Sequence, residues 1–256
     1  MARTHRGDFA SDLERFLHPK APLALARFHD GEYHILRGEP YKAKSNWSVY
    51  EPSWLRDRLL AALEADLEGY WVGISPPCCF PQATAYFRSQ VNTHLLTYAT
   101  VFWFANFSRT RKTLYERVNA GRCATVGCTA RCDYRIPANG VASPWDLDGL
   151  VGRLLDEERP ILLAAGPSAC IIAHEYWKRA PADSRQTILD VGAAMDPLLH
   201  GKPTRHFQEG SSNLRTHRCS WTQSAPWSPS MGRKVKGDTA RRAKRRTRFG
   251  GKVKDK

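Results

Sequence analysis

The feature that most limits what this chain can fold into is the alternation of short apolar runs with segments of helical spacing. Residues 22–28 (PLALARF), 70–74 (YWVGI), 100–105 (TVFWFA), 123–126 (CATV), 160–165 (PILLAA) and 187–191 (TILDV) are apolar and short. Most are bounded by Gly, Pro, Asn or Asp, as buried strands are. Between them lie helical patterns at residues 54–67 (WLRDRLLAALEADL, with Ser53 as N-cap), 109–118, 147–155 and 168–179. Strands joined by helices of this length form parallel crossover units. The expected fold is therefore α/β: a doubly wound, mostly parallel sheet with helices on both faces.

The pattern stops near Phe207, which divides the chain into a folded part (1–207), an irregular segment rich in Ser, Thr, Pro and Trp (208–231) and a terminal stretch (232–256). That stretch holds 12 of the 39 Lys/Arg and 2 of the 25 Asp/Glu, so it contributes +10 of the formal +14 and leaves +4 for the rest. Such a composition cannot bury a core, and a disordered basic tail is expected. Its charge suits non-specific contact with polyanions, or simple solvation, and says little about the folded part. No apolar run reaches the ~18 residues of a membrane span. Residues 1–16 lack the apolar core of a secretory signal, which makes cytoplasmic the default location. Of the seven cysteines, Cys78 and Cys79 are adjacent, and Cys123, Cys128 and Cys132 lack a second pair at zinc-finger spacing. Free thiols are the preferred reading.

Two segments carry chemistry. In the first, a buried strand ends at Phe28 and His29-Asp30-Gly31-Glu32 follows at once. Ligands of open parallel sheets bind at the carboxyl ends of strands. Asp30 and Glu32 straddle a glycine that permits a tight turn and close approach of backbone to ligand. Two hard oxygen donors suit Mg²⁺ or Mn²⁺, which completes its shell with water and substrate phosphate. Arg27 stands beside them. An ordinary solvated turn is the alternative. The second segment, residues 161–177 (ILLAAGPSACIIAHEYW), reads as strand, turn and helix. The Gly166-Pro167-Ser168 turn would present a helix N-terminus to an anion, with Ser168 capping the helix or donating to the ligand. A plain strand-to-helix turn is equally compatible.

These segments resemble the GT-D-type glycosyltransferases, a group first catalogued as a domain of unknown function. Arg27, Phe28, Asp30, Gly31, Glu32 and Tyr33 match their R-F-x-D-G-E-[FY] signature, whose D-x-E replaces the D-x-D of other metal-dependent glycosyltransferases. The ILLAAGPSACIIAHEY and ILDVGAAMDPLL stretches are similar to two later motifs, in the same order. The similarity covers about residues 20–207. The resemblance implies a Rossmann-like fold, a nucleotide-sugar donor and Mn²⁺ or Mg²⁺ on catalytic Asp30 and Glu32. It does not supply the sugar or the acceptor; a hexosyltransferase-type enzyme and a glycan or other hydroxyl acceptor are the expectation. Arg27, Gly31, Gly166, Pro167, Ser168 and Arg205 would line the nucleotide-sugar site. His29 departs from the pattern, which more often has glycine there.

Other candidates are Asn106, Asp190 and Asp196 at strand ends, Arg205 as a diphosphate clamp, and Trp47 and Trp221 as sugar-stacking rings. Each also has an ordinary structural or surface role open to it. No nucleophile elbow or local Ser/His/Asp constellation is present, so hydrolase chemistry is not favoured. The competing class is a non-enzymatic nucleic-acid-binding or structural protein acting through the basic tail.

Overall fold

The structure is a computed structural model that describes residues 9–42, 48–49, 53–77, 79–98, 108–138, 144–183, 185–202 and 204. The order of elements is α1 (Phe9–Leu17), β1 (Ala24–Phe28), α2 (Asp30–Leu36), β2 (Tyr41–Lys42), β3 (Ser48–Val49), α3 (Ser53–Glu64), β4 (Tyr70–Ile74), α4 (Pro81–Gln90) and β5 (Leu96–Thr97). There follow α5 (Ser108–Asn119), β6 (Ala124–Gly127), β7 (Tyr134–Arg135), α6 (Leu147–Leu155), β8 (Ile161–Ala164), α7 (Ser168–Arg179), β9 (Ile188–Asp190), a 3₁₀ turn (Gly192–Met195) and α8 (Asp196–Leu199).

Seven strands form one sheet in the order β5-β4-β1-β9-β8-β6-β7, and every pairing in it is parallel. β1 lies inside the sheet, paired to β4 along its whole length and to β9 through Ala24–Ile188 and Leu25–Leu189. That position explains why all five residues of ALARF are buried; a strand covered on both faces cannot alternate.

The steps β1→β4, β4→β5 and β8→β9 all run the same way across the sheet. Right-handed crossovers then place their helices on one face. There α7 packs on β1, α3 and α6, and α2 packs on α3 and α4. The step from β5 to β6 runs the other way, and α5 covers the opposite face beside α1 and the 3₁₀ turn. The α6 stripe Leu147, Leu150, Val151 and Leu154 is buried at helical spacing. Its start is fixed by Asp146, whose carboxylate accepts the Gly149 N–H at 2.8 Å.

Sequence and structure differ in places. α1, α4 and β7 are not foreseen, and the helix read at 54–67 ends at Glu64. β4's outer neighbour is the two-residue β5 at Leu96–Thr97; the strand read at 100–105 lies outside the described residues, as do 208–231 and 232–256. β5 is tied to α1 by the Thr97 hydroxyl, which donates to the buried Asp12 at 2.8 Å. Asp30-Gly31-Glu32, read as a tight turn, is the first turn of α2.

Candidate functional site

Two strand-to-helix junctions, β1→α2 and β8→α7, open at the carboxyl end of the sheet, where β9 also ends. Behind them lies a buried ionic group. Arg27, near the end of β1, points its Nε toward Asp190 Oδ1 at 3.6 Å; both side chains are inside the protein. Asp190 also accepts the Gly192 N–H at 3.0 Å. Gly192 has φ +46°, and a Cβ there would overlap the Arg27 guanidinium; only glycine combines that backbone with that neighbour. The first turn of α7 closes the group. Cys170 Sγ donates to the Arg27 carbonyl at 3.1 Å and lies 3.9 Å from Asp190 Oδ2.

Glu32 turns inward to the same place. It is 8 % exposed, and its Oε2 accepts the His29 N–H at 2.9 Å, which ties the start of α2 to its own first turn. Burial pushes its carboxyl up to about 7, opposed by Arg27 and the His29 N–H and reinforced by Asp190. Burial likewise raises Asp190 to about 6, against the pull of Arg27 and the Gly192 N–H. The Cys170 thiol is driven well up by burial and then by both carboxylates. These are the expected consequences of placing one cation and two acids out of water. His29 is pushed well down by burial and by Arg27. Its Nδ1 meets the Ser75 hydroxyl at 2.8 Å, joining the ends of β1 and β4.

Asp30 faces the other way. It is exposed and accepts the Tyr41 hydroxyl at 2.6 Å. Residues two apart on a helix project ~200° from each other, so Asp30 and Glu32 leave α2 on opposite sides. The pair as it stands is not a two-carboxylate chelate. Asp30 fits a hard cation that takes one protein carboxylate and completes its shell with water and phosphate. Glu32, engaged with His29 and beside Arg27, does not. Among the described residues, no group of three or more His, Cys, Asp or Glu is placed to hold a metal. Cys123 and Cys132 are buried free thiols and Cys128 is a half-buried one.

At the second junction, Gly166 adopts φ +56° and Pro167 precedes α7. Ser168 is 1 % exposed, and its Oγ has no hydrogen-bond partner among the described residues. α7 has no acidic residue in its first turn and no side-chain cap. Its N-terminal N–H groups and positive dipole end are therefore not answered by a side chain of the helix itself.

The structure thus gathers Arg27, Gly31, Glu32 and Asp190 at one end of the sheet and sets Asp30 on the outer side of the same turn. Gly166, Pro167 and Ser168 form the second junction at that end. Asp196 begins α8 and accepts the Thr204 hydroxyl. Arg205, Asn106, Trp47 and Trp221 lie outside the described residues. Sequence reasoning missed Ser75, Cys170 and Gly192. The only advance signal was Gly192 two residues after Asp190, the spacing at which a carboxylate accepts a following N–H.

Fold and site define an α/β protein with a seven-stranded parallel sheet and a buried ionic group at the strands' carboxyl ends. No family model matches the chain, and no curated protein matches it. Two solved structures are similar to it. One is a selenomethionine-substituted structure of domain of unknown function 1792, 14 % identical, with 76 % of this chain and 81 % of that chain covered and a TM-score of 0.45. The other is described as the highly conserved domain of unknown function 1792 with a distinct glycosyltransferase fold; it is 13 % identical, with 77 % of this chain and 87 % of that chain covered and a TM-score of 0.42. Likenesses of this degree leave the functional reading to the chain's own residues. Among the described residues, no helix is long and apolar enough to cross a membrane.

Proposed function

We propose that this chain is a glycosyltransferase that moves a sugar from a nucleotide-sugar donor to a hydroxyl acceptor. The observation that carries this reading is the pairing of two junctions of opposite polarity at one end of a parallel sheet. The β1→α2 junction offers the exposed carboxylate of Asp30; the β8→α7 junction offers a helix N-terminus with the unpartnered Ser168 hydroxyl. A diphosphate bridged by a divalent cation complements both at once.

In this reading α7 and Ser168 bind the phosphates, and Asp30 faces Mn²⁺ or Mg²⁺. When bound, the cation neutralises charge on the leaving nucleoside diphosphate. Gly166 and Pro167 shape the turn that lets the phosphates approach, and Gly31 keeps the start of α2 free of a side chain. Arg27, behind the crevice, adds positive potential toward the same anion. The reaction breaks the donor's anomeric carbon–oxygen bond, forms one to the acceptor oxygen and passes the acceptor's proton to a base. The hexosyl character of the donor, a glycan acceptor, a clamping role for Arg205 and a cytoplasmic location belong to this proposal.

The test is thermal unfolding with UDP or GDP, with and without Mn²⁺. Stabilisation of about 3 kcal/mol is expected at ~100-fold excess over Kd, and only with metal and nucleotide together. No stabilisation by either nucleotide refutes the reading. A screen of donor hydrolysis then identifies the sugar.

The +10 charge of residues 232–256 supports a second, separable activity: salt-sensitive, sequence-independent contact with polyanions. Removing residues after Met231 should abolish most DNA or RNA binding and leave donor turnover unchanged. Loss of turnover would assign the tail to the catalytic unit.

A further inference from the structure

We infer that the two acids of the Asp30-Gly31-Glu32 turn divide their work: of the two, Asp30 holds the divalent cation, and Glu32 is a positioning residue that anchors the start of α2 and faces Arg27 from within. The inference rests on the proposed function, because it concerns the cation of that reaction.

Several observations carry it. Asp30 and Glu32 leave a regular helical turn on opposite sides. Asp30 is exposed while Glu32 is buried, so a cation in the crevice meets the first carboxylate and not the second. Glu32 already spends Oε2 on the His29 N–H at 2.9 Å; reaching outward would break that bond and uncap α2. A cation placed inward would lie in the field of Arg27, which already acts on Glu32 and Asp190, and like charges repel strongly out of water. The Tyr41 hydroxyl on Asp30 Oδ2 is the kind of outer hydrogen bond that orients a ligating carboxylate.

The roles predict different responses to amide substitution. A ligating carboxylate is not replaced by its amide, whereas an acceptor for a backbone N–H is, because Gln retains the carbonyl oxygen. The experiment follows Mn²⁺ by electron paramagnetic resonance on the full chain with UDP and with GDP. Wild type, Asp30→Asn, Glu32→Gln and Glu32→Ala are compared, alongside their melting temperatures and donor-hydrolysis kcat. Asp30→Asn should weaken Mn²⁺ by on the order of 100-fold while lowering the melting temperature only slightly. Glu32→Gln should bind Mn²⁺ within about threefold of wild type. Glu32→Ala should lower kcat, and Glu32→Gln should recover most of it. A Mn²⁺ anomalous difference map of the wild-type complex should put the ion on Asp30, with Glu32 still on His29; this readout stands whether or not the Glu32 variants fold.

A Glu32→Gln protein that melts like wild type but loses Mn²⁺ as Asp30→Asn does overturns the inference and leaves the proposed function intact. So does an anomalous peak bonded to Glu32. Failure of wild type to take up Mn²⁺ with either nucleotide instead removes the cation from the proposed function, and this inference falls with it.

Discussion

The β1→α2 and β8→α7 junctions have the same local design, a parallel strand feeding a helix at the carboxyl edge of the sheet, yet opposite electrostatics. α2 carries Asp30 and Glu32 in its first turn and answers its own dipole. α7 begins with Gly166-Pro167-Ser168 and has no acid there. One junction therefore attracts cations and the other anions. In the proposed function the two junctions together suit an anion carrying its counter-ion. The difference also shows why a helix N-terminus alone says little: its own first turn decides what it can bind.

The comparison can be broken hardest at the buried group that underlies both junctions. Gly192→Ala forces a side chain into the Arg27 guanidinium at a left-handed φ. It should cost about 3 kcal/mol or more, measured by urea unfolding; a loss under ~1 kcal/mol would mean that Arg27 readily moves aside.

Arg27→Met comes next, at about 3 kcal/mol near neutral pH, because it strands two buried carboxyls. Its deficit should shrink in acid as they protonate. The wild type carries a related signature. Glu32 moves from 4.5 to about 7 and Asp190 from 3.8 to about 6 on folding. Between the unfolded and folded values, the folded chain binds more protons than the unfolded one, so stability falls as pH rises from about 4 to about 7. The loss should be on the order of 6 kcal/mol at most, and Glu32→Gln should flatten part of the slope. Stability that rises across that window would contradict the buried-acid assignment.

At the anion end, Ser168→Ala removes a hydroxyl that has no partner among the described residues. It should raise the melting temperature slightly, since burying an unpaired polar group is unfavourable. It should also weaken UDP or GDP about tenfold, the loss of one hydrogen bond to a charged group. A lower melting temperature with unchanged nucleotide affinity would reassign Ser168 to structure. The smallest effect is expected for Asp30→Asn on stability. An exposed first-turn acid contributes about 0.5 kcal/mol through the helix dipole, and a loss comparable to that of Arg27→Met would erase the distinction between the outer and inner acid.

The sheet was legible in the sequence where strands are buried on both faces, as with ALARF, YWVGI and ILLA, because their apolar runs need no partner to be recognised. α6 and α7 were legible from helical spacing and clear ends. Elements held by long-range contacts were not. α1 depends on Asp12 meeting Thr97. β7 lies parallel to β6 after only a short loop, a connection that parallel pairing seldom allows. That loop is held by Asp133, whose carboxylate accepts the Thr125 N–H at 2.8 Å and hydroxyl at 2.7 Å. The site was legible as a location, since Asp30 and Glu32 follow a buried strand. The divergence of the two acids was not, because spacing alone does not tell a tight turn from the first turn of a helix. The partnership of Arg27 with Asp190 joins residues distant in sequence, and no local pattern encodes it.

The pairing of β1 with β9 sets the order in which this protein can be made. β1 leaves the ribosome early, and β9 is the last strand of the described fold, yet the two are neighbours at the middle of the sheet. Until residues 188–190 emerge, β1 has an open edge beside β4, and Arg27 lacks the carboxylate of Asp190. Closure of so long a loop is slow compared with local helix formation. The β1–β9 pairing and the Arg27–Asp190 contact therefore cannot form before residues 188–190 are made, and a chain cut short before β9 would expose an apolar strand edge suited to aggregation. If the proposed function holds, nucleotide binding requires the completed sheet, so a chain ending before β9 should not bind UDP or GDP.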